Sequence, residues 1–330
     1  MPRVGCTRLR VGSEQNAQSM IRLIALGTLS ALFFSSTFIL NRAMSLAGGH
    51  WAWSASLRFG YMLVFLIVII LITQGCKALA DIKAVFLQYW RFWILAGTIG
   101  FGIFYSLITF SASFAAGWVV ATTWQTTILA TPIVLHFFGR KVPTKGLLFT
   151  GIIFIGIVLV NIEHAQVTSL RDVFFSAAPI LVAAFAYPIG NQLVWEARLG
   201  ENKRLPHIAH PILENGLARV LLLTLGSLPF WILFLALASP PAPSHGQLIS
   251  TALVALFSGV IATTIFLYAR HLAKHSYEIA AVDATQSMEV VFSLIGEIVF
   301  LRGAIPSALG LFGVALTILG LGAYMGIQKK

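Results

Sequence analysis

Ten apolar runs, each long enough to cross a lipid bilayer, follow one another along the chain with short separators. A helix needs about 20 residues to cross the hydrocarbon layer. Membrane β-strands are about half as long and alternate in polarity, which these runs do not. The sequence therefore predicts an all-α integral membrane protein with ten transmembrane helices, spans 1 to 10. The runs are residues 22–44, 51–73, 92–112, 115–138, 146–162, 172–195, 211–238, 247–269, 278–301 and 304–326.

Composition points the same way, because 58% of the residues are hydrophobic and only 10% are charged. A soluble domain is about 45–50% apolar and about 25% charged. A soluble fold buries a limited fraction of its surface and leaves too much of such a chain exposed. Composition thus excludes a soluble globular enzyme, a collagen-like fibre and a disordered chain.

The net charge of +11 is concentrated on one side of the predicted bundle. With the N-terminus in the cytoplasm, 17 of the 22 lysine and arginine residues fall on the cytoplasmic side. The exceptions are Arg42, Arg171 and Arg302 on the opposite side, and Arg58 and Arg219 within spans. This bias predicts a multi-pass protein of the inner (plasma) membrane with both termini in the cytoplasm. The charge then matches anionic lipid, and we expect no nucleic-acid partner.

Residues 1–20 are polar and basic and lack the apolar core of a signal peptide. We interpret them as a cytoplasmic N-terminal tail that is either disordered or precedes a true start at Met20. The rest of the chain divides into two parts of similar length, residues 21–165 and 166–330, with five spans in each.

The two parts share residues in the same order, at a spacing of about 150–163 positions. Five spans per part is an odd number, so the two parts enter the membrane in opposite senses. The sequence therefore predicts a five-plus-five inverted-topology repeat, typical of secondary transporters that bind substrate near the membrane midplane. The matching pairs include Asn41 with Asn191, Arg58 with Arg219, and Gln125 with Gln286.

Three segments carry a family resemblance: residues 33–42 (FFSSTFILNR), 49–58 (GHWAWSASLR) and 122–125 (TTWQ). With the span count and the repeat, they resemble the drug/metabolite transporter superfamily, in its branch of putative multidrug resistance efflux transporters. The resemblance covers the chain after Met20. It implies a ten-helix exporter, within a superfamily that exports drugs, amino acids, nucleosides and sugar phosphates.

One feature of that superfamily is missing from this chain. Its small four-helix multidrug members carry an essential glutamate in the first helix. Span 1 has no acidic residue between Arg22 and Arg42, and span 6 has none between Asp172 and Glu196. The carboxylate mechanism of those members therefore does not carry over to these positions.

Span 9 contains the acidic residues that the other spans lack. On a regular helix, Asp283, Gln286, Glu289, Ser293 and Glu297 share an arc of about 120°, which predicts one polar stripe. Ionisable residues within a span are costly and often functional. Glu289, near mid-depth, either exchanges a proton and attracts a cationic substrate, or is a structural carboxyl bonded to a neighbouring helix. For Asp283 and Glu297, nearer the interfaces, we favour a solvated charge or a partner for arginine.

Other polar and aromatic side chains complete the predicted substrate site. We expect Gln125 and Gln286 to face each other across the repeat axis and bind substrate, or to bond across helices. Trp124 and Tyr187 would form a cation–π surface. Asn191 lies close after Pro188, where we expect the helix to bend and free backbone groups.

Arg58 and Arg219 are the two arginines within spans. Their matching positions favour a structural role, such as binding free carbonyl groups or pairing with an acid like Glu214. The alternative is that they bind an anionic substrate.

No metal-protease, phosphate-binding-loop or hydrolase motif is present, so we expect no catalytic residue, metal or cofactor. The sequence favours a secondary active transporter that exports small hydrophobic or cationic compounds by alternating access, as a proton antiporter. The alternatives are an amino-acid or metabolite exporter without proton coupling, and an intramembrane enzyme. Expected partners are a small-molecule substrate, the lipid bilayer, protons, and a second copy of the chain through the glycine-rich span 5 or 10.

Overall fold

The computed structural model describes residues 5–140, 147–273 and 276–327. Every regular element in these ranges is helical. The first four residues of the expected N-terminal tail lie outside them. The α-helices are α1 Gly5–Leu46, α2 Trp51–Gln88, α3 Trp90–Gly97, α4 Phe104–Ser111, α5 Gly117–Trp124, α6 Thr127–Phe137, α7 Leu147–Val167, α8 Leu170–Leu199, α9 Gly216–Ala238, α10 His245–Val254, α11 Thr263–Leu272, α12 Ser276–Ala284, α13 Met288–Leu301 and α14 Ala308–Ile327.

The helices of the described chain that are long and apolar enough to cross a membrane agree with the predicted spans. By length and composition, nine helical segments of the described chain can cross a membrane, and a tenth, Ala308–Tyr324, is apolar but shorter. The all-α prediction with about ten spans is therefore confirmed. The main difference is in span 2, whose helix α2 continues to Gln88 past Gly75, where φ is 78° and the helix kinks.

Local sequence signals set several helix ends. The Ser169 side chain accepts a hydrogen bond from the Asp172 backbone N–H at the start of α8. Gly200 ends the same helix in the left-handed conformation, with φ of 71°. Asn215 caps α9 by accepting hydrogen bonds from the backbone N–H groups of Leu217 and Ala218. Such side chains satisfy backbone groups that the first helical turn leaves free.

Four spans are irregular, and they occupy corresponding places in the two parts of the chain. Span 3 contains the π-helical segment Thr98–Ile103, and span 8 contains the π-helical segment Ala255–Ala262. Span 4 is interrupted between α5 and α6, and span 9 by the 3-10 turn Thr285–Ser287. This turn interrupts the regular helix on which the predicted polar stripe of span 9 was drawn, between Asp283 and Glu289. Near Tyr187, where a bend was expected, α8 continues as one helix through Pro188.

The glycine-rich spans 5 and 10 pack closely against each other within one chain. A Cβ on Gly156 of α7 would lie 2.6 Å from the Gly313 carbonyl oxygen of α14, so the two backbones touch. Gly151 and Gly322 instead face open space. Some of the glycines thus have an internal packing role, while the expected homodimer stays a prediction.

A buried aromatic group lies at the centre of the bundle. Phe59 of α2 stacks on Trp231 of α9 with ring centroids 5.0 Å apart, and meets Tyr105 of α4 edge-on at 5.6 Å. All three side chains are buried. This packing holds the neighbouring Arg58 in the protein interior.

Candidate functional site

Glu289 lies in the first turn of α13, directly after the 3-10 turn, and is only 8% exposed. Its carboxyl group has no hydrogen-bond or ion-pair partner among the described residues, and its oxygens reach accessible space. A buried carboxyl group normally requires such partners. The geometry therefore argues against a carboxyl bonded to a neighbouring helix and leaves Glu289 open to a ligand or a proton.

An aromatic triad of Phe104, Trp124 and Tyr187 lines the interior. The ring centroids of Phe104 lie 4.9 Å from those of both Trp124 and Tyr187, and Trp124 and Tyr187 are 5.7 Å apart. The three residues come from α4, α5 and α8. These separations are those of favourable aromatic pairs, and the combined π-surface suits a flat or cationic ligand.

The same region contains an opening inside the bundle. Tyr187 is 38% exposed, and Asn191, one turn later, is exposed as well. Residues Ile180, Ala184 and Val194 on the same face of α8 are buried. An accessible pair among buried positions indicates an internal opening, because lipid-facing positions form a continuous exposed stripe. The Asn191 amide donates to the Tyr187 carbonyl at 3.0 Å.

Three charged side chains act electrostatically on the Tyr187 hydroxyl group. Glu289, Arg58 and Arg270 all lie within electrostatic range of it. The structure therefore brings two of the predicted residues, Tyr187 and Trp124, into contact, and Glu289 lies within electrostatic range of Tyr187.

Arg58 is buried, at 8% exposure, and has no acidic partner among the described residues. Its guanidinium carbon lies 3.9 Å from the Tyr105 ring centroid. Its Nη2 donates to Ser258 Oγ at 3.2 Å, while its Nε has no hydrogen-bond acceptor. The cation is thus held by an aromatic ring and a hydroxyl group.

Arg219 has different surroundings, although it occupies the matching place in the sequence. Its Nη1 donates to the Leu213 carbonyl oxygen at 2.8 Å. Glu214, suggested as its partner, forms an ion pair with Arg198 at 3.1 Å. Arg219 therefore binds a free carbonyl group at the start of its helix.

The two glutamines do not bond to each other. The Gln125 amide donates to the Ala121 carbonyl of its own helix at 3.3 Å. The Gln286 amide donates to Ser30 Oγ at 3.1 Å and to the Gly27 carbonyl at 3.4 Å, both on α1. The structure thus ties Gln286 to helix α1, while Gln125 keeps only an intrahelical bond.

Asp283 forms an ion pair with Arg270 at 2.7 Å, the arrangement favoured for it as a partner of arginine. Glu297 accepts a hydrogen bond of 2.9 Å from the Gly117 backbone N–H, at the start of α5. A carboxylate at a helix N-terminus is stabilised by the free N–H groups and the helix dipole. Both acids have partners, in contrast to Glu289.

Two ionic arrangements were missed at the sequence level. Glu163, near the end of α7, accepts hydrogen bonds from the Ser307 and Gly310 backbone N–H groups at 2.6 and 3.2 Å. Arg140 donates to both carboxylate oxygens of Glu196, at 2.8 and 2.7 Å, and to Glu201 at 2.7 Å. These carboxylates raise the pKa of the Arg140 guanidinium above its ordinary value. These contacts join residues far apart in sequence, so no local sequence motif predicts them.

The four helix irregularities all lie at the site. The π-helical segment of span 3 directly precedes Phe104, and that of span 8 contains Ser258. The interruption of span 4 directly follows Trp124, and the 3-10 turn of span 9 directly precedes Met288 and Glu289. Such departures from regular helix are frequent at functional sites, because they free backbone groups and redirect side chains.

A separate apolar cavity of about 410 Å³ lies among α2, α4 and α8. Trp51, Phe110 and Phe175 are among the residues that line it, and none of the predicted site residues does. In the described part of the chain, no group of three or more His, Cys, Asp or Glu residues is arranged to hold a metal ion.

The helical bundle defines a class: a multi-pass membrane protein with aromatic and charged side chains between its helices. The chain belongs to the EmrE family described as "Putative multidrug resistance efflux transporter", whose family model matches residues 21–330. This membership confirms the resemblance found in the sequence, and it places the protein among membrane transporters, a class distinct from enzymes.

Individual relatives extend this finding without naming a substrate. The chain is 39% identical over 317 residues to the uncharacterized protein YjlA of Bacillus subtilis (strain 168), covering 91% of this chain and 93% of the relative. It is 36% identical over 266 residues to an uncharacterized 42.1 kDa protein of Shouchella clausii, covering 76% of this chain and 65% of the relative.

A solved structure described only as "Crystal structure of protein" has a similar fold. It superimposes with a TM-score of 0.58 at 14% identity, covering 93% of this chain and 97% of the other. At this identity the likeness concerns the fold alone.

Proposed function

We propose that the protein is a secondary active transporter that exports small hydrophobic compounds bearing a cationic group. The observation that carries this proposal is the buried carboxyl group of Glu289, which has no partner in the described chain and shares a site with the aromatic triad. A carboxylate attracts the cation, and the rings of Phe104, Trp124 and Tyr187 bind the apolar part by cation–π and stacking contacts.

An inverted repeat of residues 21–165 and 166–330 gives this transporter its two moving parts. The paired irregularities of spans 3 and 8, and of spans 4 and 9, support the repeat, since they fall in the same order in both parts. In inverted-repeat transporters, interrupted helices meet at the midplane and the two parts rock around the bound substrate.

Proton coupling is proposed through Glu289. When Glu289 is ionised it binds the cation, and when it takes up a proton it releases the cation, so one proton exchanges for one positive charge. The groups near the site are Tyr187, Arg58 and Arg270, with Asp283 paired to Arg270. Arginine keeps its proton at physiological pH, and Asp283 already has a cationic partner. Glu289 is therefore the best candidate for the exchanging group.

The orientation follows from the distribution of charge. We propose that the protein lies in the inner membrane with the end that carries Arg140 and Glu196 facing the cytoplasm. At that end the ion pair of Arg140 with Glu196 joins α8 to the segment after α6, and we propose that this pair separates during each transport cycle. The lipid bilayer is the surrounding partner, and a homodimer through the exposed faces of Gly151 or Gly322 remains a prediction.

The test uses purified protein in liposomes with an acidic lumen and ethidium as a fluorescent lipophilic cation. Wild-type vesicles are expected to accumulate ethidium until nigericin collapses the pH gradient. Glu289→Gln is expected to lower the gradient-driven rate at least about tenfold, which corresponds to about 1.4 kcal/mol. Glu289→Asp is expected to restore part of the rate.

The matched control is Glu214→Gln, which removes an exposed carboxylate outside the site. It is expected to behave as wild type. Wild-type transport rates in Glu289→Gln would overturn the proton-carrier role. Absence of gradient-driven accumulation of ethidium and of 2-phenylethylamine by the wild-type protein would overturn the proposed function itself.

A further inference from the structure

The apolar cavity among α2, α4 and α8 lies at the end of α8 opposite the Arg140–Glu196 pair. Two residues of its wall, Phe174 and Val182, are 64% and 55% exposed, so the cavity opens to the outer surface of the bundle. All the residues that line it are apolar and present no carboxylate, hydroxyl or amide side chain. This cavity, the α4–α8 groove, therefore suits a hydrocarbon chain.

Aromatic rings form the wall of the α4–α8 groove. The ring centroid of Phe110 lies 5.1 Å from that of Trp51 and 6.0 Å from that of Phe175, and both contacts are edge-on. These contacts join residues of α2, α4 and α8, so the wall does not depend on one helix alone. Ala178 of α8 also lines the groove, and its short side chain leaves room for a ligand.

One cation lies at the end of this groove. Arg171 is exposed, and its guanidinium carbon lies 5.6 Å from the ring centroid of Phe175, which lines the groove. Arg171 forms no ion pair with an acidic residue in the described part of the chain. Its neighbour Asp172 instead accepts hydrogen bonds from the hydroxyl groups of Thr168 and Ser169. Arg171 is therefore available to bind an anionic group.

The arginine and the groove share one face of α8. Three lining residues follow Arg171 by four, seven and eleven positions, the spacing of one helix face. They are Phe175, Ala178 and Val182. At 1.5 Å per residue, the face is about 16 Å long from Arg171 to Val182. One leaflet contributes about 15 Å of hydrocarbon, half of the full layer. An amphiphile of one leaflet therefore matches this face in length, with its charged group at Arg171.

We propose that the α4–α8 groove binds an anionic phospholipid such as phosphatidylglycerol, with an acyl chain in the groove and the phosphate group on Arg171. A guanidinium group binds phosphate through two parallel hydrogen bonds, and its charge favours a headgroup that lacks a cation of its own. The chain packs on Phe110 of α4 and Phe175 of α8, so the lipid joins the two helices that carry Phe104 and Tyr187. This lipid site is separate from the proposed transport site and does not depend on the export function.

The experiment measures lipid binding by native mass spectrometry of the full chain purified in detergent. Dioleoyl phosphatidylglycerol and dioleoyl phosphatidylcholine are added in equal amounts, because they share their chains and their phosphate and differ in net charge. The wild-type protein is expected to bind phosphatidylglycerol about fivefold better, the preference that one basic residue gives at an anionic lipid surface. Glycerol 1-phosphate, which has the phosphate and no chains, is expected not to displace the lipid.

Two substitutions test the two ends of the site. Arg171→Gln is expected to abolish the preference for phosphatidylglycerol, and Arg171→Lys to keep part of it. The matched control is Arg302→Asn, which removes another exposed arginine predicted on the same side, at a left-handed position that asparagine tolerates. Ala178→Phe fills the groove and is expected to lower the binding of both lipids. Leu181→Phe, at an exposed position of α8 outside the groove, should bind lipid as the wild type does.

The wild-type comparison depends on the folding of no variant. Equal binding of the two lipids, or displacement of phosphatidylglycerol by an equimolar amount of glycerol 1-phosphate, would overturn the proposal. A folded Arg171→Gln variant with the wild-type preference would overturn the headgroup contact, and wild-type binding in Ala178→Phe would overturn the groove as the site. A wild-type dimer that Ala178→Phe converts to a monomer in light scattering would show that a second copy covers the groove in place of lipid.

Discussion

Arg140 binds Glu196 through two parallel hydrogen bonds of 2.8 and 2.7 Å, which join the segment after α6 to the last turns of α8. Glu196 is 2% exposed and also accepts a hydrogen bond from Gln192 at 2.7 Å. A buried carboxylate with a planar guanidinium partner is a strong and specific contact. It joins the first part of the chain to the second at one end of the bundle.

Arg140→Gln is expected to lower the melting temperature by several degrees, because it leaves the buried Glu196 carboxylate without its cation. The melting temperature is measured by the loss of the monodisperse size-exclusion peak in detergent. The exchanged pair, Arg140→Glu with Glu196→Arg, is expected to recover part of the loss. Equal melting temperatures for wild type and Arg140→Gln would show that the pair contributes nothing to stability.

Glu163→Gln tests the α7 carboxylate that binds backbone N–H groups at the start of α14. Glu163 accepts hydrogen bonds from the backbone N–H groups of Ser307 and Gly310 and from the Ser307 hydroxyl group. A neutral amide accepts fewer bonds and loses the interaction with the helix N-terminus. We expect a loss of about 1.5–3 kcal/mol of stability, the usual contribution of hydrogen bonds to a charged group. Thermal unfolding in detergent measures it, and Glu201→Gln, an exposed carboxylate, is the comparison.

Gly156→Leu tests the close packing of α7 on α14. A side chain at Gly156 would collide with the Gly313 backbone and with Thr317, so the two helices must separate. We expect poor yield and a clearly lower melting temperature, since overpacking a tight contact costs about 1–3 kcal/mol or more. Gly151→Leu, on the same helix but facing open space, should fold normally. Equal stability of the two variants would contradict the packing.

Substitution of the exposed glycines also examines the expected homodimer. Leucine at Gly151 or Gly322 leaves the internal packing of α7 and α14 intact, because a Cβ added to either glycine would meet no other part of the chain within 4 Å. If the protein dimerises through these faces, either substitution shifts it to the monomer in light scattering. An unchanged oligomeric state in both variants would exclude these faces as the dimer contact.

Much of the fold could be predicted because membrane spans are defined by composition and length. Continuous apolar runs set the helices, and residues such as Ser169 and Gly200 set their ends through local backbone chemistry. The interruptions were not predictable in this way. The π-helical segment Thr98–Ile103 contains Gly100 and Gly102, which weaken a helix but do not show where a π-turn forms, and Gly100 packs against Gly190 of a distant helix. The turn Thr285–Ser287 contains neither glycine nor proline.

The residues of the candidate site could likewise be predicted only in part. Glu289 could be selected because an ionisable residue at mid-span is unusual. Trp124 and Tyr187 could be selected because they adjoin Gln125 and Pro188 in the sequence. The contacts between helices could not be predicted, because pairs such as Gln286 and Ser30 are far apart along the chain. The same limit applied to Phe104, which looks like an ordinary lipid-facing residue until α4 is placed between α5 and α8.

Tyr187→Ala is expected to raise the substrate KM at least severalfold, because it removes one ring of the aromatic triad and opens the contact with Phe104 and Trp124. Each aromatic or cation–π contact contributes about 0.5–2 kcal/mol. Tyr187→Phe retains the ring and should keep KM near the wild-type value. The measurement is the initial rate of ethidium accumulation against its concentration. If Tyr187→Phe raises KM as much as Tyr187→Ala does, Tyr187 acts through hydrogen bonding of its hydroxyl group and the stacking role is wrong.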